Sequence, residues 1–270
     1  MSISSKIIMN RSNSRIRLAR QVRDGKIRKD IFIEGVRLCE EALLADLWIH
    51  EALATEKILD DERSSQLLEE IRQRGLRVSI ISEKVMNSIS ATKATQGIIL
   101  IARRPLTGKE ILENDLDTTP LVVIVHGMNN PSNAGAILRT AEAAGATALI
   151  ATTGTTYLFA PKALRGAMGS TFRMPLWLGA EYGEALLWCR ERGISTVATA
   201  ALGTKTFSEI TWTEPRAIII GPEASGLTVE EINAADESIR IPMRQPVESL
   251  NAAVACGIIL YEAARQRGET

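Results

Sequence analysis

Apolar and polar positions along the chain follow two successive patterns, one on each side of a polar interval near residue 110. In the first, "DIFIEG" reads as a short strand and turn, "VRLCEEALLA" carries apolar positions at helical spacing, and "LWIHEALAT" is a second strand running into a loop. "DERSSQLLEEIRQRG" predicts a helix stopped at Gly75, "LRVSIIS" a strand, "EKVMNSIS" a short helix and "QGIILIARR" a last strand. Strands alternating with helices predict a small layered α/β sandwich. The stretch 103–118, "RPLTGKEILENDLDTT", has no sustained apolar period and predicts a linker. Beyond it the alternation resumes with "PLVVIVHG", "ATALIAT", "ISTVATAA", "RAIIIG" and "SIRIPM" as strands. Such near-continuous apolar strands are buried on both faces, which predicts a parallel sheet with its ligand crevice at the strands' carboxyl ends. The expected organisation is a domain over 1–104, a linker over 105–118 and a second α/β domain over 119–270, with no internal repeat.

Composition narrows the class. The 270 residues are 45% hydrophobic and 24% charged, which suits a globular chain with its own core. No signal-type run opens the chain and no segment approaches the ~20 apolar residues of a membrane span, so a cytoplasmic protein with no membrane association is expected. Cys39, Cys189 and Cys256 are scattered, with no C-x-x-C pair, and read as reduced core residues rather than a disulfide framework or metal site. With only His50 and His126, neither a His-rich metal centre nor Ser-His-Asp chemistry is expected. His126 ends an apolar strand and reads as a histidine with a satisfied hydrogen bond. Net charge is zero, yet Lys6–Lys29 holds nine basic residues against one acid, Asp24. That block is either a phosphate-binding surface or a solvated helix face.

Three stretches carry candidate chemistry. In "MNNPSNAGAILRTAEAAGAT", Asn133 reads as a helix N-cap and Gly145 as a C-terminal stop. Gly135, Arg139 and Glu142 share one helical stripe, so Arg139 is either a site residue or half of a surface pair with Glu142. In "AIIIGPEASGL", Gly221 and Gly226 flank Glu223, forming a loop able to approach a ligand closely. The glycine spacing matches neither a dinucleotide fingerprint nor a Walker loop. In "ESLNAAVACG", Ser249 reads as the N-cap of a helix whose stripe Leu250, Val254, Ile258 and Tyr261 is expected to pack inward, with Ala252, Ala253 and Cys256 as a small-residue face.

Taken together and in this order, "NPSNAGAILRTAEAAG", "IIIGPEASGL" and "IRIPM…ESLNAAVACGIILYE" resemble the three motifs of the SpoU/TrmH family of SPOUT-class RNA methyltransferases, over residues 120–264. "RKDIFIEGVRLCEEAL" and "TQGIILIARR" resemble that family's ribosomal-protein-like substrate-binding domain. The resemblance implies a small N-terminal α/β sandwich and a C-terminal parallel-sheet α/β domain with a deep trefoil knot, working as a homodimer. It implies S-adenosylmethionine as cofactor, held at Thr199, Ala200, Gly221, Ile241 and Leu250, with no metal. It also implies methyl transfer to a ribose 2′-hydroxyl, with Asn133, Arg139, Glu223, Ser249 and Asn251 at the catalytic positions and Arg28 and Lys29 facing RNA. One departure is Asn130 before Pro131, where the family often has an acid.

A guanidinium with a pKa above ~12 makes a demanding base, so Arg139 is expected to hold the hydroxyl and a neighbouring phosphate rather than take the proton. Asn133 and Glu223 are then expected to orient Arg139, and Ser249 and Asn251 to position the ribose or the closing turn. Structured RNA is the expected substrate, with 23S ribosomal RNA favoured. The alternatives are a tRNA methyltransferase, an antibiotic-resistance methyltransferase acting on ribosomal RNA, and a non-catalytic RNA-binding or ribosome-assembly factor on the same scaffold.

Overall fold

The computed structural model describes residues 7–114 and 118–268. The chain divides into two compact units: residues up to Pro105 together with Phe159–Phe172, and Leu106–Leu158 together with Arg173 onward.

The first unit opens with α1 (Ser14–Arg23), capped by Asn13, whose side chain accepts the Arg15 N–H. Then follow β1 (Asp30–Glu34), α2 (Val36–Leu44), β2 (Ile49–Ala54), α3 (Glu62–Gln73), β3 (Val78–Ile80), α4 (Glu83–Ile89) and β4 (Ile98–Arg103). The strands form one sheet in the order β1-β4-β2-β3, with β4 antiparallel to both its neighbours. One face of α1 buries Ile16, Ala19 and Val22 against Phe32, Leu53, Met86, Ile99 and Ile101. Each such large side chain contributes about 1.5–3 kcal/mol when fully buried. The basic block is therefore split. Arg15 turns in to Glu51 (3.3 Å) and Arg23 reaches Asp24 (2.8 Å), while Arg11, Arg17 and Lys29 face solvent.

The second unit starts inside the polar interval, where α5 (Lys109–Asn114) places Leu112 fully buried in its core. The elements after it are β5 (Leu121–Val125), α6 (Pro131–Ala143), β6 (Ala148–Thr152), α7 (Pro161–Ala167), α8 (Ser170–Arg173), β7 (Leu176–Ala180), α9 (Tyr182–Glu191), β8 (Ser195–Thr199), β9 (Lys205–Thr206), β10 (Arg216–Ile220), α10 (Val229–Ala234), β11 (Glu237–Arg240) and α11 (Ala252–Arg267). Of these, α7, against β1, and α8 up to Phe172 belong to the first unit.

Among the described residues, seven strands make one sheet in the order β7-β6-β5-β10-β8-β11-β9, and every pairing is parallel. "LVVIV" and "RAIII" are buried at every position, as strands covered on both faces must be. After β5 the chain moves outward to β6 and β7, then crosses to β8, and β10 enters between β5 and β8. This change of direction is the topological switch point, and parallel sheets of this kind hold their ligands at the carboxyl ends of the strands there. Strand β7, "LWLGA", does not stand out in the sequence, because its Gly179 takes a positive φ of 77° and its neighbour Leu178 is only half-buried.

Two helix starts differ from expectation. Asn130, not Asn133, caps α6: its side chain accepts the Ser132 N–H at 3.0 Å, and Pro131 fills the first helical position, where no N–H is needed. Asn251, not Ser249, caps α11, accepting from Ala253 at 3.0 Å and Val254 at 3.3 Å. Helix α11 also presents the other face to the core. Cys256, Ile259, Leu260, Ala263 and Ala264, at a clean helical period, are buried. The stripe expected to pack inward is the open one: Leu250, Val254, Ile258 and Tyr261 are 38%, 53%, 37% and 49% exposed. The small residues bring α11 close to α6, so close that a Cβ at Gly257 would lie 3.4 Å from the Thr140 methyl. The end of α11 is fastened by Gln266, which accepts the Trp212 N–H at 2.9 Å and donates to the Ile210 carbonyl at 3.1 Å.

Candidate active site

Four neighbouring strands deliver the candidate cofactor residues. Thr199 ends β8, and its hydroxyl donates to the Ile219 carbonyl of β10 at 2.8 Å. Ala200 follows, its N–H donating to the Ile239 carbonyl of β11 at 2.9 Å. Gly221 comes directly after β10, and Ile241 directly after β11. Gly127 follows the end of β5 at a positive φ of 59°, and a Cβ there would meet Pro222 at 3.1 Å. The loops are compact because side chains are missing. At Gly221 a Cβ would come within 2.9 Å of the Leu227 N–H, and at Gly203 within 2.2 Å of the Ile239 carbonyl carbon. Leu250, in the extended stretch before α11, is the exposed apolar member of the set.

The candidate catalytic residues divide into two groups. The Asn133 amide donates to the Glu223 carboxylate, joining the first turn of α6 to the loop after β10. Arg139 lies six residues further along α6, about 9 Å up the axis and about 240° around it, so it projects from another face. Within one chain Arg139 is exposed and, among the described residues, bonded to neither Asn133 nor Glu223. The surface-pair reading of Arg139 with Glu142 also fails: Glu142 holds Arg173 through both oxygens, at 2.7 and 2.9 Å. Ser249 is exposed, and among the described residues its hydroxyl has no partner. Asn251 spends its side-chain oxygen on the helix cap. Arg28 and Lys29 lie in the first unit, exposed, just before β1.

A third cluster ties the carboxyl ends of β5 and β6 to α10. His126 follows β5, its Nδ1 2.8 Å from the Thr152 hydroxyl and its Nε2 2.9 Å from Glu231. The histidine is thus satisfied on both nitrogens, as expected of a strand-end residue. Burial pushes the Glu231 carboxyl upward, but the Thr228 N–H and His126 outweigh it and hold it below its ordinary value. With Glu231 ionised, Nε2 donates to it. Tyr182 packs on the imidazole at 4.6 Å and donates to the Glu231 carbonyl; burial and the nearby carboxylate push its phenol up to about 12. Sequence reading found His126 but missed Glu231. The signal was present, since "TVEE" is a capping box: Thr228 and Glu231 cap the start of α10 reciprocally.

The three cysteines are buried and unpaired, and burial raises the thiols of Cys189 and Cys256 to about 12, so they are packing residues. Among the described residues no group of three or more His, Cys, Asp or Glu could hold a metal, and no helix is long and apolar enough to cross a membrane.

The donor set fits S-adenosylmethionine. Backbone at three adjacent strand ends is flanked by small residues, and Ile241 and Leu250 are the apolar candidates beside it. A small α/β unit followed by a seven-stranded parallel sheet is the architecture of its solved neighbours, and it places the chain among S-adenosylmethionine-dependent RNA 2′-O-methyltransferases of the SPOUT class. Residues 120–261 match the SpoU rRNA methylase family, and residues 32–107 match the RNA 2′-O ribose methyltransferase substrate-binding domain. The chain belongs to the SpoU rRNA methylase family. It is 34% identical over 213 residues to the 23S rRNA (guanosine-2′-O-)-methyltransferase RlmB of Photobacterium profundum, covering 77% of this chain and 86% of that one. A crystal structure of an RNA 2′-O ribose methyltransferase superposes with a TM-score of 0.82 at 32% identity, over 97% of this chain and 99% of the other. The AdoMet-bound rRNA methyltransferase of Sinorhizobium meliloti superposes with a TM-score of 0.82 at 28% identity, over 96% and 97%.

Proposed function

We propose that the chain methylates the ribose 2′-oxygen of a guanosine in 23S ribosomal RNA, acting as a homodimer. The observation that carries this reading is the 34% identity to the RlmB of Photobacterium profundum over 213 residues.

S-adenosylmethionine supplies an electrophilic sulfonium methyl group. The side chains must hold a ribose hydroxyl in line with it and let the hydroxyl proton leave. Thr199, Ala200, Gly221, Ile241 and Leu250 form the cofactor cradle. Arg139 grips the hydroxyl oxygen and an adjacent phosphate through its fork of donors, and its fixed positive charge favours the developing alkoxide. The Asn133–Glu223 pair pins the loop after β10 to α6, and Ser249, with a free hydroxyl, contacts the ribose. Asn251 acts through the cap that places Ser249 and Leu250. Arg28 and Lys29 bind RNA phosphates.

Dimerisation is supported by the open face of α11. Val254, Ile258 and Tyr261 form an apolar stripe on the helix that packs against α6, the helix bearing Arg139. A second copy covering that stripe would bring new side chains beside Arg139, which among the described residues bonds to none of the other candidate catalytic side chains. The entry of β10 between β5 and β8, with α11 returning to α6, supports a trefoil-knotted C-terminal segment.

Ribose-methylation mapping of total RNA from cells with and without the gene tests the reading. One 2′-O-methylguanosine of 23S RNA is expected to vanish and to return with the wild-type gene but not with Arg139→Ala. An unchanged map would overturn the activity, a lost tRNA mark would overturn the substrate, and full rescue by Arg139→Ala would overturn the role of that residue.

A further inference from the structure

Three strand termini converge at one end of the first unit's sheet. β1 and β2 begin where the antiparallel β4 ends, with Asp30 paired to Arg103 and Ile49 to Ala102. Trp48, directly before β2, is 66% exposed there, whereas Trp177, Trp188 and Trp212 are buried. A tryptophan can remove 150–250 Å² from water, so holding one in solvent forfeits a large stabilisation.

The indole is also held in place. Its backbone carbonyl accepts the Arg103 N–H at 2.8 Å, and its ring leans on His50 with centroids 5.5 Å apart at 43°. The Asp30 carboxylate, buried to 5% exposure, lies 3.4 Å from His50 Nε2 and 3.8 Å from an Arg103 guanidinium nitrogen. One buried acid thus fixes both neighbours of the ring. The Arg103 side chain is still 51% exposed, and the exposed Lys29 is tied in by its carbonyl, which accepts the Arg104 N–H at 3.0 Å.

A rigid aromatic face beside exposed cations matches the chemistry of an unpaired nucleotide, whose base stacks while its phosphates are neutralised. An apolar protein surface would instead strip water from Arg103 and Lys29 without pairing them. We propose that Trp48 is a stacking platform for one unpaired base of the RNA substrate, with Arg103 and Lys29 neutralising the flanking phosphates. The proposal rests on the RNA methyltransferase reading above and adds a base-binding site on the first unit.

The test uses the full chain, titrated with a short single-stranded oligoadenylate and, for comparison, with a blunt RNA duplex. Binding of oligoadenylate should quench tryptophan emission, since the other three indoles are buried. Trp48→Ala should weaken that binding about tenfold, and Trp48→Phe should restore most of it. Arg103→Gln should lower the salt slope by about one. Affinity for S-adenosylmethionine should stay unchanged throughout, and the melting temperature should stay unchanged in Trp48→Ala and Trp48→Phe. Unaltered oligoadenylate affinity in Trp48→Ala, or an altered sedimentation coefficient showing that the indole was covered by another protein chain, would overturn the platform. If the wild type methylates ribosomal RNA and Trp48→Ala does so with the same KM, only the platform fails. If the wild type binds neither RNA nor S-adenosylmethionine, the methyltransferase reading fails with it.

Discussion

The Asn133 amide donates to the Glu223 carboxylate across 90 residues of sequence, joining the first turn of α6 to the loop after β10. Two motifs that are each weak alone become one object through this bond. Removing the amide as Asn133→Ala should lower methyl transfer about ten- to a hundredfold, as expected when a positioning contact is lost. Asn133→Asp should be worse, because it sets two carboxylates against each other and loosens the loop. Initial rates with each variant, measured at saturating cofactor, check the order; equal activity of Asp and Asn enzymes would rule the contact out as a positioning device.

Asn251 provides a second prediction. Its side-chain oxygen accepts from two N–H groups at the start of α11. Asn251→Ala should cost about 1 kcal/mol of stability, while Asn251→Asp or Asn251→Ser should retain most of it. Ser249→Ala should leave stability within about 0.5 kcal/mol because Ser249 caps nothing. Urea unfolding of the four variants separates the two positions.

The open face of α11 can be tested with charge. Ile258→Glu should convert the proposed dimer to a monomer in sedimentation experiments, since an unpaired carboxylate would have to be desolvated on association. Methylation should fall with it, whereas the monomer should keep its fold because Ile258 does not belong to the core. A dimer persisting in Val254→Glu and Ile258→Glu alike would place the interface elsewhere.

Acid should loosen the end of α11. Hydrogen bonds from Arg265 and Gln266 hold the Glu262 carboxyl at about 2, against an ordinary value of 4.5. On acidification the unfolded chain takes up this proton first, so the stabilisation is complete above 4.5 and fades as the pH falls to about 2. Glu231, also held low, should add to the loss in the same direction. Denaturation midpoints across that window should fall more steeply for the wild type than for Glu262→Gln, and parallel curves would remove the carboxylate from the account.

The strand pattern was legible because buried parallel strands are apolar at every position, as in "LVVIV" and "RAIII". The ends of helices were less so. Asn130 and Asn133 are chemically equal as caps, and only the proline at the first helical position decides between them. Likewise both faces of α11 are apolar in sequence, and nothing local says which one meets α6. Glu142 turned to Arg173 rather than Arg139 because α8 is close in space though 31 residues away in sequence. The Asn133–Glu223 contact has no local signal because its partners are 90 residues apart; the resemblance marked both residues, but as groups expected to orient Arg139, to which neither bonds among the described residues.

The placement of β10 between β5 and β8 has a consequence for synthesis. A growing chain that stops before Arg216 already contains Asn133, Arg139 and Thr199, yet β5 and β8 have no strand to join them. The central seam of the sheet is made almost last, after loops from both sides have been waiting, which is the slow, non-local kind of assembly. Ribosome-bound chains ending before Arg216 should therefore stay protease-sensitive beyond Leu121, and those reaching past Arg267 should not. Cofactor capture then belongs to finished chains alone, so an incomplete enzyme has no competence to mark RNA.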